Sequence, residues 1–139
     1  MIDSSVALAW FLPDEGSTLA DQALDQVTTA GALVPALFSV EFGNGLVMAV
    51  RRKRIDSHYR RETFQRITEL NLVADRDGGD RVWAEAIDLA DLHGLTLYDA
   101  VYLELALRTG LPLASLDKRL SKVASDLGIS LNGQAAGRP

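Results

Sequence analysis

The chain has 139 residues, a formal net charge of -5 and no cysteine. That length suits one domain with a single core, and the absence of thiols excludes disulfides and thiolate metal sites, making the cytoplasm the expected compartment. With 47% apolar and 24% charged residues the composition is that of a soluble globular protein, no apolar run approaches the ~18 residues of a membrane span, and no signal-peptide pattern opens the chain.

In chain order, Met1–Asp3 reads as a very short strand. Helical pattern follows from about Ser4, breaks at Pro13 and resumes from Ser17 to about Thr29. ALVP, after Gly31, is a second strand, followed by helices from about Leu37 to Arg52 and from about Ser57 to Leu70. LNLVA is a third strand. Asp80 is read as the N-cap of a helix ending at His93–Gly94, with Trp83, Ala86, Ile87 and Ala90 repeating at helical spacing. The next helix starts near Tyr98 and stops at Arg108-Thr109-Gly110, where a cation, a glycine and then Pro112 form a stop signal. LPLASL is a fourth strand, Asp117 begins another helix, and ISL is a fifth strand. Residues 1–131 make the domain, and NGQAAGRP, 132–139, reads as a loose tail.

Short strands joined by helices imply an α/β fold: a parallel sheet with right-handed crossovers and helices on both faces. Ligands of such folds bind beyond the carboxyl ends of the strands. Asp3 ends the first strand, Asp117 follows the fourth, and Glu41 lies one turn into the helix after the second. Asp99 opens a helix whose start is expected at the same edge. Capping accounts for Asp3, Asp99 or Asp117 taken singly, because an Asp oxygen accepts orphan backbone N–H groups. Glu41, between Val40 and Phe42, fits capping less well, with Ser39 the alternative cap.

Four carboxylates at one edge cannot all stay ionised unopposed. A hard divalent cation removes the conflict, and Mg²⁺ or Mn²⁺ suits carboxylates without His or Cys. Other chemistries are poorly supplied. There is no GxSxG elbow, no Gly-rich phosphate loop after the first strand, and only His58 and His93 as imidazoles. Seven of the fourteen basic residues fall between Arg51 and Arg66 (Arg51, Arg52, Lys53, Arg54, Arg60, Arg61 and Arg66). That run is either a phosphate-binding flank or a solvated helix end.

MIDSSVALAWFLPDE, VEFGNGLVMAVRRKRI and HGLTLYDAVYLELALRTGLPLASLDKRL together resemble PIN-domain ribonucleases, above all VapC toxins of bacterial toxin–antitoxin pairs. The resemblance spans about residues 1–131 and rests on the ordered set D…E-x-x-N…YDA-x-Y…LD. It implies a three-layer α/β/α fold and metal-dependent endoribonuclease activity with Mg²⁺ or Mn²⁺. It places the family's acids on Asp3, Glu41, Asp99 and Asp117 as catalytic and metal-binding residues, with Ser4 and Asn44 supporting them. Arg51, Arg52, Lys53 and Arg54 become candidates for RNA phosphates. It further implies a homodimer, a small cognate VapB-type antitoxin, and products with 5′-phosphate and 3′-hydroxyl ends. Three features depart from the family's pattern. Only Met1 and Ile2 precede the first Asp, Gly43 and Gly45 flank Asn44, and Lys118 and Arg119 stand where some relatives carry a further acid. The alternative from another class is a noncatalytic α/β module, RNA-binding or phospho-receiver-like. A receiver needs paired acids after the first strand and a Lys after the last, and neither is present.

Overall fold

In the computed structural model, which describes residues 1–131, short extended segments alternate with helices as expected of an α/β chain. The helices are α1 (Ser4–Phe11), α2 (Thr18–Ala30), α3 (Phe38–Arg51), α4 (Ser57–Thr68), α5 (Glu85–His93), α6 (Leu97–Thr109) and α7 (Lys118–Asp126). Strands β1 (Ala32–Val34) and β2 (Leu72–Ala74) form a parallel ladder. The tail assigned to 132–139 lies outside the described residues.

Of the five strands expected, only these two form a ladder among the described residues. The other three segments pair through single parallel bridges, Ile2 with Ala114 and Leu113 with Ser130. Asp3 N–H donates to the Ala114 carbonyl at 3.2 Å, and Ala114 N–H to the Met1 carbonyl at 3.0 Å. The reason is length. The first segment ends at Asp3 because α1 starts at Ser4, which leaves room for one bridge. Every pairing is parallel, so the connections must be crossovers.

α1 lies on α2 and α3, and α3 on α4; α5 lies on α6, and α6 on α7. α1 and α6 are apolar on nearly all sides, and a helix without a polar face needs cover all round. Accordingly α1 buries Val6, Ala7, Ala9 and Phe11, and α6 buries Ala100, Tyr102, Leu103, Leu105 and Ala106. Gly45 lets α1 and α3 approach closely: a Cβ there would meet Leu8 Cδ1 at 2.5 Å. Gly94 and Gly110 end α5 and α6 in the left-handed region, at φ 63° and 68°, as the stop signals predict.

Two local expectations are corrected. Asp80 caps no helix; Asp80–Trp83 is a 3-10 turn, and α5 starts only at Glu85. A turn of three residues does not continue a 3.6-residue stripe. Trp83 is therefore rotated into solvent, 81% exposed, while Ala86 behind it is buried. Ser39 is likewise not a cap, since α3 starts at Phe38 with no side-chain capping bond.

Candidate active site

Each of the four acids stands at the N-terminal end of a helix. Asp3 is the N-cap of α1, Glu41 and Asp99 lie in the first turns of α3 and α6, and Asp117 is the N-cap of α7. Partial positive charge at helix N-termini favours carboxylates there.

Asp3 is the buried member, 5% exposed. Its Oδ1 accepts the Ser5 hydroxyl at 2.6 Å and the Val6 N–H at 3.2 Å, and its Oδ2 accepts the Ser115 hydroxyl. The two serines extend the contact to the neighbouring segment. Ser5 Oγ accepts the Leu116 N–H at 2.9 Å, and Ser115 Oγ accepts the Asp117 N–H at 3.0 Å. Asp117 in turn caps α7 by accepting the Leu120 N–H at 2.9 Å. Asp3 and Asp117 are thus joined through one hydroxyl.

Asp99 is not a cap. The Thr96 hydroxyl caps α6, accepting the Asp99 N–H at 3.2 Å. The Asp99 carboxylate is left without a capping duty. Glu41 Oε1 accepts the hydroxyl of Tyr102, three residues beyond Asp99 on α6, at 2.7 Å.

Electrostatics tie the four together. Burial pushes the Asp3 carboxyl above its ordinary range, against the hydroxyl and N–H donors that favour its charged form, and Asp117 adds repulsion. Burial also raises Glu41, where the Tyr102 hydrogen bond opposes it and Asp3 and Asp99 add to it. Asp99 is raised by burial first and then by Asp117 and Asp3, with the Thr96 hydrogen bond and Arg119 acting the other way. Arg119, in the position where some relatives carry a further acid, donates to the Gly94 carbonyl at 3.0 Å.

The chemistry of this donor set fits a hard divalent cation: oxygens only, crowded like charge, and partial desolvation. Among the described residues, however, no three acidic or histidine side chains are closed onto one point as an ion's ligands would be. The carboxylates share an edge without converging fully.

The supporting residues divide. Ser4 faces the Tyr102 phenol. Asn44, one turn beyond Glu41 on α3, is exposed. Arg51 lies ten residues beyond Glu41 on α3, about 15 Å along the helix axis at 1.5 Å per residue. Arg51, Arg52 and Lys53 are exposed. Arg54 donates to Glu15 at 2.8 Å and to the Pro13 carbonyl at 2.9 Å. Lys53, Arg54 and Tyr59 line a cavity of about 770 Å³ that contains none of the four acids.

Sequence reading gave no role to Ser5, Thr96 or Ser115, nor to Tyr102, although Tyr102 is the last residue of the YDA-x-Y motif. Spacing was the available signal: Ser115 precedes Asp117 by two in an extended segment, which places both on one side. Tyr102 follows Asp99 by three on a helix, which does the same.

Residues 1–126 match the family described as PIN domain. The chain is similar to Ribonuclease VapC3 of Pyrobaculum aerophilum, 29% identical over 122 residues covering 88% of this chain and 92% of that one. Its fold is similar to the crystal structure of PAE2754 from Pyrobaculum aerophilum, with a TM-score of 0.60 and 25% identity over 87% of this chain and 81% of that one.

Proposed function

This chain belongs to the PIN-domain family, and from that membership we propose that it is a Mg²⁺- or Mn²⁺-dependent endoribonuclease, the toxin of a VapC-type toxin–antitoxin pair. One observation carries the reading. Asp3, Glu41 and Asp99, far apart in sequence, each have their carboxyl raised by burial first and then by one another or by Asp117. Folding gains nothing from such crowding, so the arrangement serves a ligand that relieves it. The ribonuclease name of the relative from Pyrobaculum aerophilum supports RNA as substrate.

Asp3, Asp99 and Asp117 would hold the ion, with Glu41 as a further ligand or as the group that orients and deprotonates the attacking water. A bound Mg²⁺ or Mn²⁺ supplies charge stabilisation at the phosphate and a more acidic water. The protein's own parts supply placement. The serine hydroxyls hold both Asp3 oxygens, so this carboxylate is preorganised rather than recruited. Hydrolysis adds water oxygen to phosphorus and breaks the bond to the 3′ oxygen. With Glu41 as the base, the water proton passes to it, and the departing 3′ oxygen takes a proton from solvent, giving 5′-phosphate and 3′-hydroxyl ends. Ser4 and Asn44 support the arrangement; of the basic run, Arg51, Arg52 and Lys53 are assigned to RNA phosphates, and Arg54 is set apart because it already holds Glu15 and the Pro13 carbonyl. The reading includes a VapB-type antitoxin that covers the acidic site, a homodimer and a cytoplasmic location. No helix among the described residues is long and apolar enough to cross a membrane.

The test is RNA cleavage by purified protein with Mg²⁺, beside Asp99→Asn. Cleavage that needs the ion and vanishes in the variant is expected. Equal cleavage by both proteins would trace the activity to a contaminant and remove Asp99 from the site.

A further inference from the structure

Tyr102 is the largest fully buried side chain among the described residues, yet it carries a polar tip. Its ring is fixed in the core on α6 and its hydroxyl donates to Glu41 Oε1 at 2.7 Å, across 61 residues of sequence. The Ser4 side chain, from α1, faces the same phenol. That hydroxyl thus joins α6, which carries Asp99, to α3, which carries Glu41.

Resting on the nuclease reading above, we propose that Tyr102 is a positioning residue, holding Glu41 beside Asp3 and Asp99 with one carboxylate oxygen engaged and the other left for an ion or a water. Glu41 needs such a restraint. It lies in the first turn of α3, next to Val40, which is 74% exposed, and to exposed Asn44. Three side-chain torsions give it access to bulk water. Asp3 and Asp99 repel it from the site. Among the described residues the Tyr102 hydroxyl is the hydrogen-bond donor that the Glu41 carboxylate meets. A phenol suits the task because its ring is locked by packing, so the donor does not swing with the acid.

The test uses the full chain and four variants: Tyr102→Phe, Glu41→Ala, the double variant, and Glu41→Asp. Mn²⁺ affinity is measured by titration calorimetry, and kcat and KM by RNA cleavage. Tyr102→Phe keeps the ring and removes only the hydroxyl. It is expected to weaken Mn²⁺ binding and lower kcat by about 10-fold or more, within the 10- to 100-fold range typical when a supporting hydrogen bond is removed, with KM for RNA unchanged. In the Glu41→Ala background the same change should do nothing further. Glu41→Asp, one methylene shorter, breaks the hydrogen bond from the other side and should reproduce the Tyr102→Phe loss. Wild-type Mn²⁺ affinity and kcat in Tyr102→Phe or Glu41→Asp, or an equal loss in the Glu41→Ala background, would overturn the proposal. A wild-type protein that binds Mn²⁺ but cuts no RNA sinks the nuclease reading while the titration still decides Tyr102. A wild-type protein that binds no Mn²⁺ sinks both.

Discussion

Thr96, not Asp99, closes the N-terminus of α6: its hydroxyl accepts the Asp99 N–H at 3.2 Å. On the nuclease reading, substitutions at these two residues separate stability from chemistry. Thr96→Ala removes a cap and should cost about 1 kcal/mol in denaturant unfolding. Asp99→Asn removes a carboxylate that burial and two neighbouring acids disfavour. It should leave the metal-free protein as stable as wild type or more so, while abolishing cleavage. A large stability loss in Asp99→Asn would mean that the carboxylate has a structural partner after all.

Gly43 and Gly45, two residues apart on α3, should respond oppositely to alanine. At Gly43 the nearest atoms to an added Cβ are those of Phe64 at 4.0 Å, so Gly43→Ala should gain about 0.5–1 kcal/mol of helix propensity. At Gly45 the added Cβ meets Leu8 Cδ1 at 2.5 Å and Cδ2 at 2.8 Å. Overpacking of about 1–3 kcal/mol then exceeds that gain, and Gly45→Ala should unfold at lower denaturant than wild type. Equal stabilisation by both would show that the Leu8 side chain swings aside without cost.

How much of this was legible in the sequence differs residue by residue. The acids were visible because carboxylates interrupt apolar runs, and helix stops were visible because Gly94 and Gly110 carry local conformational signals. The strands were overcounted as ladders because composition shows extended segments but not whether a three-residue segment finds two consecutive partners. Periodicity puts Trp83 on a buried face because it cannot distinguish a 3-10 turn from the first turn of an α-helix. Capping was an equal account of Asp3, Asp99 and Asp117, and the structure separates them: Asp3 and Asp117 cap, and Asp99 does not. The partners of Tyr102 and Ser115 were hidden, because Glu41 and Asp3 lie 61 and 112 residues away.

Arg108 holds the far end of α6 and supplies a pH prediction. Its guanidinium donates to both Asp75 oxygens, and its Nε donates to Glu104 Oε1 at 2.8 Å. The Arg108 hydrogen bond holds Asp75 below its ordinary value of 3.8. An acid lowered in the folded state binds fewer protons there than when unfolded. Its contribution is therefore complete above about pH 4 and is lost as pH falls below 3.8 through the folded value. Asp75→Asn should cost about 1.5–3 kcal/mol at pH 7. The gap from wild type should narrow when unfolding is measured below about pH 4, where the carboxylate begins to take up its proton. A gap that stays constant down to about pH 2 would remove the ionic part of this interaction.

The basic run after Glu41 should divide by what each side chain already holds. Arg51 and Arg52 are exposed, and Arg51 is about 15 Å along α3 from Glu41, too far to touch the cleaved phosphate but within reach of neighbouring ones. Removing both should raise KM evenly across RNA sequences and leave kcat unchanged, because phosphate contacts position without reading bases. The dependence of log KM on log salt should flatten by about 0.7 for each phosphate of a single strand that is no longer neutralised. Arg54 is committed elsewhere, to Glu15 at 2.8 Å and the Pro13 carbonyl at 2.9 Å. Arg54→Ala should keep the salt slope and instead speed amide exchange in the α1–α2 connection around Pro13 and Glu15. A slope reduced as much by Arg54→Ala as by Arg51→Ala would mean that this guanidinium leaves Glu15 for RNA.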